Sequence, residues 1–324
     1  MDRWPGSRWS MAADATYLRC KHIPVQYDPG QDIPSLWQKH RKALSGQPVA
    51  AVPDRSLLDL KVTLADRIYG QCHFCERRCG VDRRRGRGWC RVGEAAVASE
   101  FLHYGEEPML VPSHTVFFSG CTFACVFCQN HDISQHHAGM HVSPESLAEV
   151  IRRRQGLNVN WVGGEPTPNL PYILRVLRLL DTDAPQIWNS NLYCSRETMY
   201  LLHGVMDLYL TDFKYGNDEC ARRLSHVDRY WEVVTRNHEM GATQGRVLIR
   251  HLVMPNHVDC CSLPVLDWIA EHMPEALVNV MDQYRPEYRA HQHPDIDRCV
   301  TDREYRRVAE HARSLGLRLV ADRS

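Results

Sequence analysis

The sequence predicts an α/β fold, a parallel sheet covered by helices, and three observations carry that expectation. Strand and helix patterns alternate about six times after residue 112, the hydrophobic periodicity switching between two and 3.6 residues. Polar and glycine-rich segments fall just after the expected strands, at the strand ends where parallel α/β sheets gather their chemistry. The chain of 324 residues is 44% hydrophobic and 24% charged, which is enough apolar material for one large domain with an appendage. A doubly wound sheet and a barrel both satisfy the pattern.

The elements follow in order. "HTVFFS" (114–119) reads as the first strand, from its aromatic and β-branched residues. In "SPESLAEVIRRRQG", Ser143 caps a helix that Pro144 opens and Gly156 stops, with Leu147, Val150 and Ile151 on one face. "LNVNWV" is a strand, "NLPYILRVLRLL" a helix, "PQIW" a short strand, and "SRETMYLLHG" a helix from Ser195. "VMDLYLTDF" and "RVLIRHLVM" are strands, "SLPVLDWIAEH" a helix and "ALVNVM" a strand. "DREYRRVAEHARSLG" and "LRLVA" close the series. The strand ends then carry "SGC", "GGEPT", "NSN", "TDFK", "RHLVMPN" and "MDQYRP". Polar groups from six separate segments converge on one rim, which says more than any one motif.

Before residue 112 the periodicity is weak and charges are dense. The expected organisation is an N-terminal extension over 1–56, partly disordered in its first ten residues, a cysteine-rich metal-binding segment over 57–112, and the barrel over 113–324. "MDRWPGSRWSMAADATY" has no apolar core to read as an export signal. No apolar run approaches the ~18 residues of a membrane span. Lys plus Arg balances Asp plus Glu, 39 against 39, so no overall field favours nucleic acid or an anionic membrane. The expected location is cytoplasmic.

Thirteen cysteines in such a chain suggest metal or catalytic chemistry more than a disulfide framework. Seven fall in two tight groups: Cys72, Cys75, Cys79, Cys90 and Cys121, Cys125, Cys128. Cys20, Cys194, Cys220, Cys260, Cys261 and Cys299 are scattered and read mostly as small buried hydrophobes. Thiolates select zinc, copper(I) or iron–sulfur clusters. Three on one loop, spaced C-x3-C-x2-C, can hold three irons of a four-iron cluster and leave the fourth open. The plainer alternative is a zinc knuckle that borrows His131, His136 or His137 as a fourth ligand. The first group, C-x2-C-x3-C-x10-C, suits a closed zinc site or a second cluster. Gly80, Gly86 and Gly88 favour a tight knuckle around a structural metal. Six arginines between 77 and 87 can track phosphates, but such a run is more often solvated or grips an acidic partner.

The C-x3-C-x2-C motif, with Phe127 just before its last cysteine, resembles the signature of the radical S-adenosylmethionine (radical SAM) superfamily. "GGEPT" (163–167), "DFK" (212–214) and "RHLVMP" (250–255) resemble segments of glycyl-radical-activating enzymes. "CERRCGVDR", "FLHYGEEP", "FFSGC", "CVFCQN" and "QYRPEYRAH" bring the chain closest to the group called pyruvate formate-lyase activating enzyme-like. The resemblance implies a partial (β/α)6 barrel of the radical SAM type with an N-terminal cysteine-rich extension. It also implies a [4Fe–4S] cluster on Cys121, Cys125 and Cys128, its open iron chelated by S-adenosylmethionine. Reductive cleavage would give a 5′-deoxyadenosyl radical that takes hydrogen from a substrate, a protein glycine, a peptide or a small molecule. A one-electron donor such as flavodoxin or ferredoxin is the implied partner.

Each site residue has a role under this reading and a plainer one beside it. Gly163 and Gly164 allow close backbone approach, or form a tight turn. Glu165 can accept from an ammonium group, and Phe127 offers a ring to the adenine. Asn189, Asn191 and Asp212 suit ribose hydroxyls, and Lys214 or Arg250 suits a carboxylate. The asparagines can equally be turn residues, Asp212 and Lys214 a solvent-facing ion pair, and Arg250 the partner of a structural carboxylate. His251 points to the opposite face from Arg250 in a regular strand. Cys194, Tyr193, Tyr284 and Tyr288 lie near strand ends and are candidate hydrogen-atom donors, or core and surface groups. The ferredoxin-like cysteines of known activases follow the radical motif, and here the extra group precedes it. The competing classes are a zinc-stabilised module that binds nucleic acid or protein and a two-cluster electron carrier.

Overall fold

The computed structural model describes residues 15–136 and 138–320; the expected disorder of the first ten residues lies outside them, as does His137. Eight strands form one sheet in sequence order: β1 (Val97–His103), β2 (Ser113–Phe118), β3 (Asn158–Gly163), β4 (Gln186–Ser190), β5 (Leu208–Asp212), β6 (Arg246–Leu252), β7 (Leu277–Met281) and β8 (Arg318–Leu319). β1 and β2 are antiparallel, and every later pairing is parallel. The sheet does not close, because β1 and β8 remain its edges. Helices cover its outside: α1 (Thr16–His22), α2 (Ile33–Ala43), α3 (Leu57–Gly70), α4 (His131–Ser134), α5 (Pro144–Arg153), α6 (Leu170–Leu179), α7 (Arg196–Leu202), α8 (Asp218–Ser225), α9 (Tyr230–Gln244), α10 (Leu263–His272) and α11 (Asp302–Ser314). This is the partial barrel the sequence led us to expect, with one strand added ahead of it.

Strand alternation gives the barrel its polar mouth. Trp161, Trp188, Tyr209, Ile249 and Val278 belong to the large core cluster. Ile187, Leu208, Leu210, Leu248 and Leu277 form a second cluster around Leu110. Two residues further along, the same inner faces carry Asn189, Asp212, Arg250 and Asn279, all of which line one large cavity. The inner wall thus runs from apolar at the strand starts to polar at their ends. The β1–β2 connection plugs the barrel: Leu110 seats in the apolar layer, and Glu106 and Glu107 rise above it to meet Arg250.

The N-terminal segments are part of the same body. Tyr17, Leu36, Leu57 and Leu64 are fully buried and share one core cluster with the barrel. Buried Lys61 donates to the carbonyls of Tyr200 (3.2 Å) and Leu201 (3.1 Å) and contacts His40 at 2.8 Å. One continuous core therefore runs through all three expected segments. Local signals for two unread helices were present: Asp32 caps α2 ahead of Pro34, and Ser56 with Asp59 forms a capping box on α3. α9 gave no such signal, since it starts from left-handed Arg229 without a side-chain cap.

Candidate active site

The loop after β2 leaves the sheet through Gly120, whose φ is +85°. A Cβ there would sit 2.6 Å from the carbonyl oxygen of Cys90 and 2.3 Å from a Val92 methyl, so only glycine lets the cysteine-rich segment pack against this loop. Arg77 reinforces the contact by donating to the Thr122 carbonyl at 2.7 Å. Cys121 and Cys125 are buried and Cys128 is half-buried; all three line the cavity, whose volume is about 800 Å³. Each thiol has a polar neighbour that the sequence did not announce. Ser225 donates to Cys125 at 2.9 Å, Ser134 lies 3.2 Å from Cys128, and the Asn191 amide approaches Cys121 at 3.9 Å. Burial raises all three thiol pKa values, that of Cys125 to about 12. These thiols stay protonated until a metal displaces the protons.

The segment after β3 lies opposite. Gly163 has φ +121°, and a Cβ on it would fall 2.0 Å from the Phe118 nitrogen; one on Gly164 would fall 2.2 Å from the Gly120 carbonyl oxygen. Both glycines therefore serve close packing of two backbones, not only approach to a ligand. Glu165 is buried, and burial raises its pKa against the hydrogen bonds that oppose it. Oε1 accepts from Ser190 (2.6 Å) and from the Thr167 hydroxyl (2.6 Å) and amide (3.2 Å). Among the described residues Oε2 accepts only the Asn191 amide, at 3.0 Å, so this oxygen keeps capacity for one more donor from the cavity. Phe127 packs its ring 5.6 Å from that of Tyr284.

Asp212 and Lys214 form an ion pair within the cavity wall. Burial alone would lower the Lys214 pKa, but the Asp212 carboxylate outweighs it and keeps the ammonium charged. Arg250 also lines the cavity, with its guanidinium committed to Glu106 and Glu107, the structural pairing the sequence left open. His251 points outward, accepting from Ser262 and donating to the Phe213 carbonyl. The cavity thus gathers Cys121, Cys125, Cys128, Phe127, Gly163, Gly164 and Glu165 with Asn189, Asn191, Asp212, Lys214, Arg250 and Tyr284.

The candidate hydrogen-atom donors are engaged in other contacts. Tyr284 reaches the cavity but donates its hydroxyl to the Ile296 carbonyl at 2.7 Å. Tyr288 stacks on His131 at 4.7 Å and is outside the lining set. Tyr193 donates to the Asp228 carbonyl, and Cys194 is wholly buried beside Asn237. Cys72, Cys75, Cys79 and Cys90 lie behind the cluster loop. Buried Arg83 sits among them, donating to Cys72 at 2.9 Å and to Cys90 at 3.1 Å. Among the described residues, the side chains whose ligand atoms all come within 4.8 Å of one another are Cys220, His257, Cys260 and Cys261. The arginine run is engaged internally: Arg77 lies over Trp89 at 3.1 Å, Arg78 pairs with Glu76 and Glu197, and Arg84 with Asp82. That leaves little of it for a phosphate backbone.

This donor set fits an iron–sulfur cluster and S-adenosylmethionine: three buried thiols on one loop face a carboxylate with spare acceptor capacity across a cavity of ligand size. Residues 115–269 match the model of the Radical SAM superfamily. The uncharacterized protein MJ0674 of Methanocaldococcus jannaschii is 45% identical over 96% of each chain. Pyruvate formate-lyase 1-activating enzyme of Escherichia coli K12 is 27% identical over 44% of this chain and 61% of its own. A radical SAM methyltransferase from Sphaerobacter thermophilus aligns over 91% of this chain and 94% of its own, at 15% identity and a TM-score of 0.49.

Proposed function

Because this chain belongs to the radical SAM superfamily, we propose that Cys121, Cys125 and Cys128 hold its [4Fe–4S] cluster and that the cavity beside them binds S-adenosylmethionine and a hydrogen-donating substrate. The observation that carries this reading is the meeting of three buried thiols with Glu165 across one cavity. When bound, the cluster supplies the single electron that cleaves the cofactor to methionine and a hydrogen-abstracting radical. The protein's own residues do the rest. Glu165 Oε2 receives the cofactor's amino group, while Ser190 and Thr167 fix the carboxylate. Lys214, kept charged by Asp212, faces the cofactor's carboxylate, and Arg250 is the weaker candidate because two glutamates already hold it. Asn189 and Asp212 face the ribose, and Phe127 the adenine.

A cavity of about 800 Å³ holds the cofactor with room for a residue-sized group beside it. That room, and likeness to an activating enzyme over 44% of the chain, favour a peptide or protein segment as substrate. The test is reduction of anaerobically reconstituted protein with dithionite in the presence of S-adenosylmethionine. Release of 5′-deoxyadenosine by the parent, and none by Cys125→Ala, is expected. Equal release by Cys125→Ala would overturn the assignment.

A further inference from the structure

Three cysteines that the sequence reads as scattered hydrophobes meet a histidine behind the cavity. Cys220 lies in the first turn of α8, and His257 follows β6. Cys260 and Cys261 sit in one π-helical turn, Val258–Ser262, that leads into α10. Successive residues of a regular helix point about 100° apart, but here Cys261 and Ser262 both donate their amides to the His257 carbonyl (3.0 and 3.1 Å). This widened turn brings both neighbouring thiols to one ring nitrogen, and such turns recur at functional sites.

We propose that Cys220, His257, Cys260 and Cys261 form a closed zinc site of the three-thiolate, one-imidazole type. Sγ of Cys220 and Sγ of Cys261 each lie 3.9 Å from that of Cys260. Nδ1 of His257 lies 3.6 Å from Cys220, 3.3 Å from Cys260 and 3.7 Å from Cys261. A tetrahedral zinc with bonds of ~2.3 Å to sulfur and ~2.0 Å to nitrogen sets its ligands about 3.8 Å apart, sulfur to sulfur, and about 3.5 Å apart, sulfur to nitrogen. The distances just given are close to those values, and all four ligand atoms lie within 4.8 Å of one another.

The surroundings match a metal-bound imidazole. With Nδ1 on the metal, Nε2 carries the proton and donates to Asp295 Oδ2 at 2.9 Å, the carboxylate–histidine–metal arrangement that fixes the ring. Arg223 grips both oxygens of Asp295, Oδ2 at 2.6 Å and Oδ1 at 3.0 Å, and the nitrogen that reaches Oδ2 lies 3.2 Å from the histidine. Asn217, the cap of α8, donates to the Cys260 carbonyl at 2.7 Å. Cys220, His257 and Cys261 are buried and Cys260 reaches the surface; four protein ligands fill a tetrahedral shell and leave no open position for chemistry.

The site ties three segments: the start of α8, the turn before α10, and the connection after β7 that carries Asp295. The far end of α8 carries Ser225, which hydrogen-bonds Cys125. Zinc would therefore fix the helix that braces the cluster loop, as structural support and not as catalyst.

The experiment is zinc and iron analysis of the full chain, purified anaerobically with its iron–sulfur cluster reconstituted, together with X-ray absorption at the zinc edge. About one zinc per chain is expected, with three sulfurs near 2.3 Å and one nitrogen near 2.0 Å. Zinc should fall several-fold in His257→Ala and Cys261→Ser while Cys75→Ala keeps it. If those variants do not fold, the edge spectrum of the parent alone decides between three sulfurs with one nitrogen and any other shell. A parent that takes up no zinc from zinc sulfate, a shell of four sulfurs, or zinc unchanged in folded His257→Ala and Cys261→Ser would each overturn the site. Zinc is read without turnover, so failure here is distinct from failure of the radical reading.

Discussion

Glu165 is the residue on which cofactor affinity should turn. Its buried carboxylate is already held by Ser190, Thr167 and Asn191, so truncation to alanine would also orphan those donors. Glu165→Gln keeps the shape but puts an N–H where an acceptor is needed. A charge-assisted hydrogen bond is worth roughly 1.5–3 kcal/mol, so S-adenosylmethionine affinity should fall about 10- to 150-fold with the cluster intact. Calorimetry showing parental affinity would remove Glu165 from the amino-group role. Ser225 offers a second test. Its hydroxyl donates to Cys125 at 2.9 Å, and donors to cluster sulfurs help set reduction potential. Ser225→Ala should keep the parental iron content while the midpoint potential moves to a more negative value, read by redox titration under electron paramagnetic resonance; an unmoved potential would show the contact to be incidental.

At the scale of elements, the cysteine-rich segment lies against the cluster loop, with Gly120 against the Cys90 carbonyl and Arg77 bonded to Thr122. The sequence favoured a tight structural-metal knuckle here. Arg83 donates to both Cys72 and Cys90, and a guanidinium between two thiols suits a polynuclear cluster, whose thiolates sit on separate irons, better than one zinc. The expected iron content is therefore about eight per chain, falling to about four in Cys75→Ala. About four irons in both proteins would return the segment to a single-ion site. This part was only half legible in advance: C-x2-C-x3-C-x10-C gives the ligands, but the distances between them depend on how Arg83 packs.

Across the whole molecule, the parallel sheet buries two histidines that sequence alone leaves unremarkable. His238 and His251 are fully buried, and burial lowers the pKa of each to about 4. Both are held neutral through the ring nitrogens: His238 contacts the Val234 carbonyl and Thr211, and His251 the Phe213 carbonyl and Ser262. The folded pKa lies below the unfolded value near 6.5, so the unfolded chain binds more protons between these pH values. Stability is then complete above pH 6.5 and lost as pH falls towards 4, by roughly 3 kcal/mol for each histidine. Chemical denaturation from pH 7 to 4.5 should show the loss, and His251→Gln should flatten it; a flat profile in the parent would contradict the burial argument. The sequence by itself determined the alternation of strands and helices, the rim of polar strand ends and the triad Cys121, Cys125, Cys128, because periodicity and short spacing are local properties. Only the tertiary structure decided that Arg250 belongs to Glu106 and Glu107, that β1 extends the sheet, and that Cys220 meets His257, Cys260 and Cys261. The Cys220 and Arg250 contacts join residues 37 to 144 positions apart, and such pairings depend on which faces the folded sheet and helices bring together, a property that no stretch of sequence carries alone.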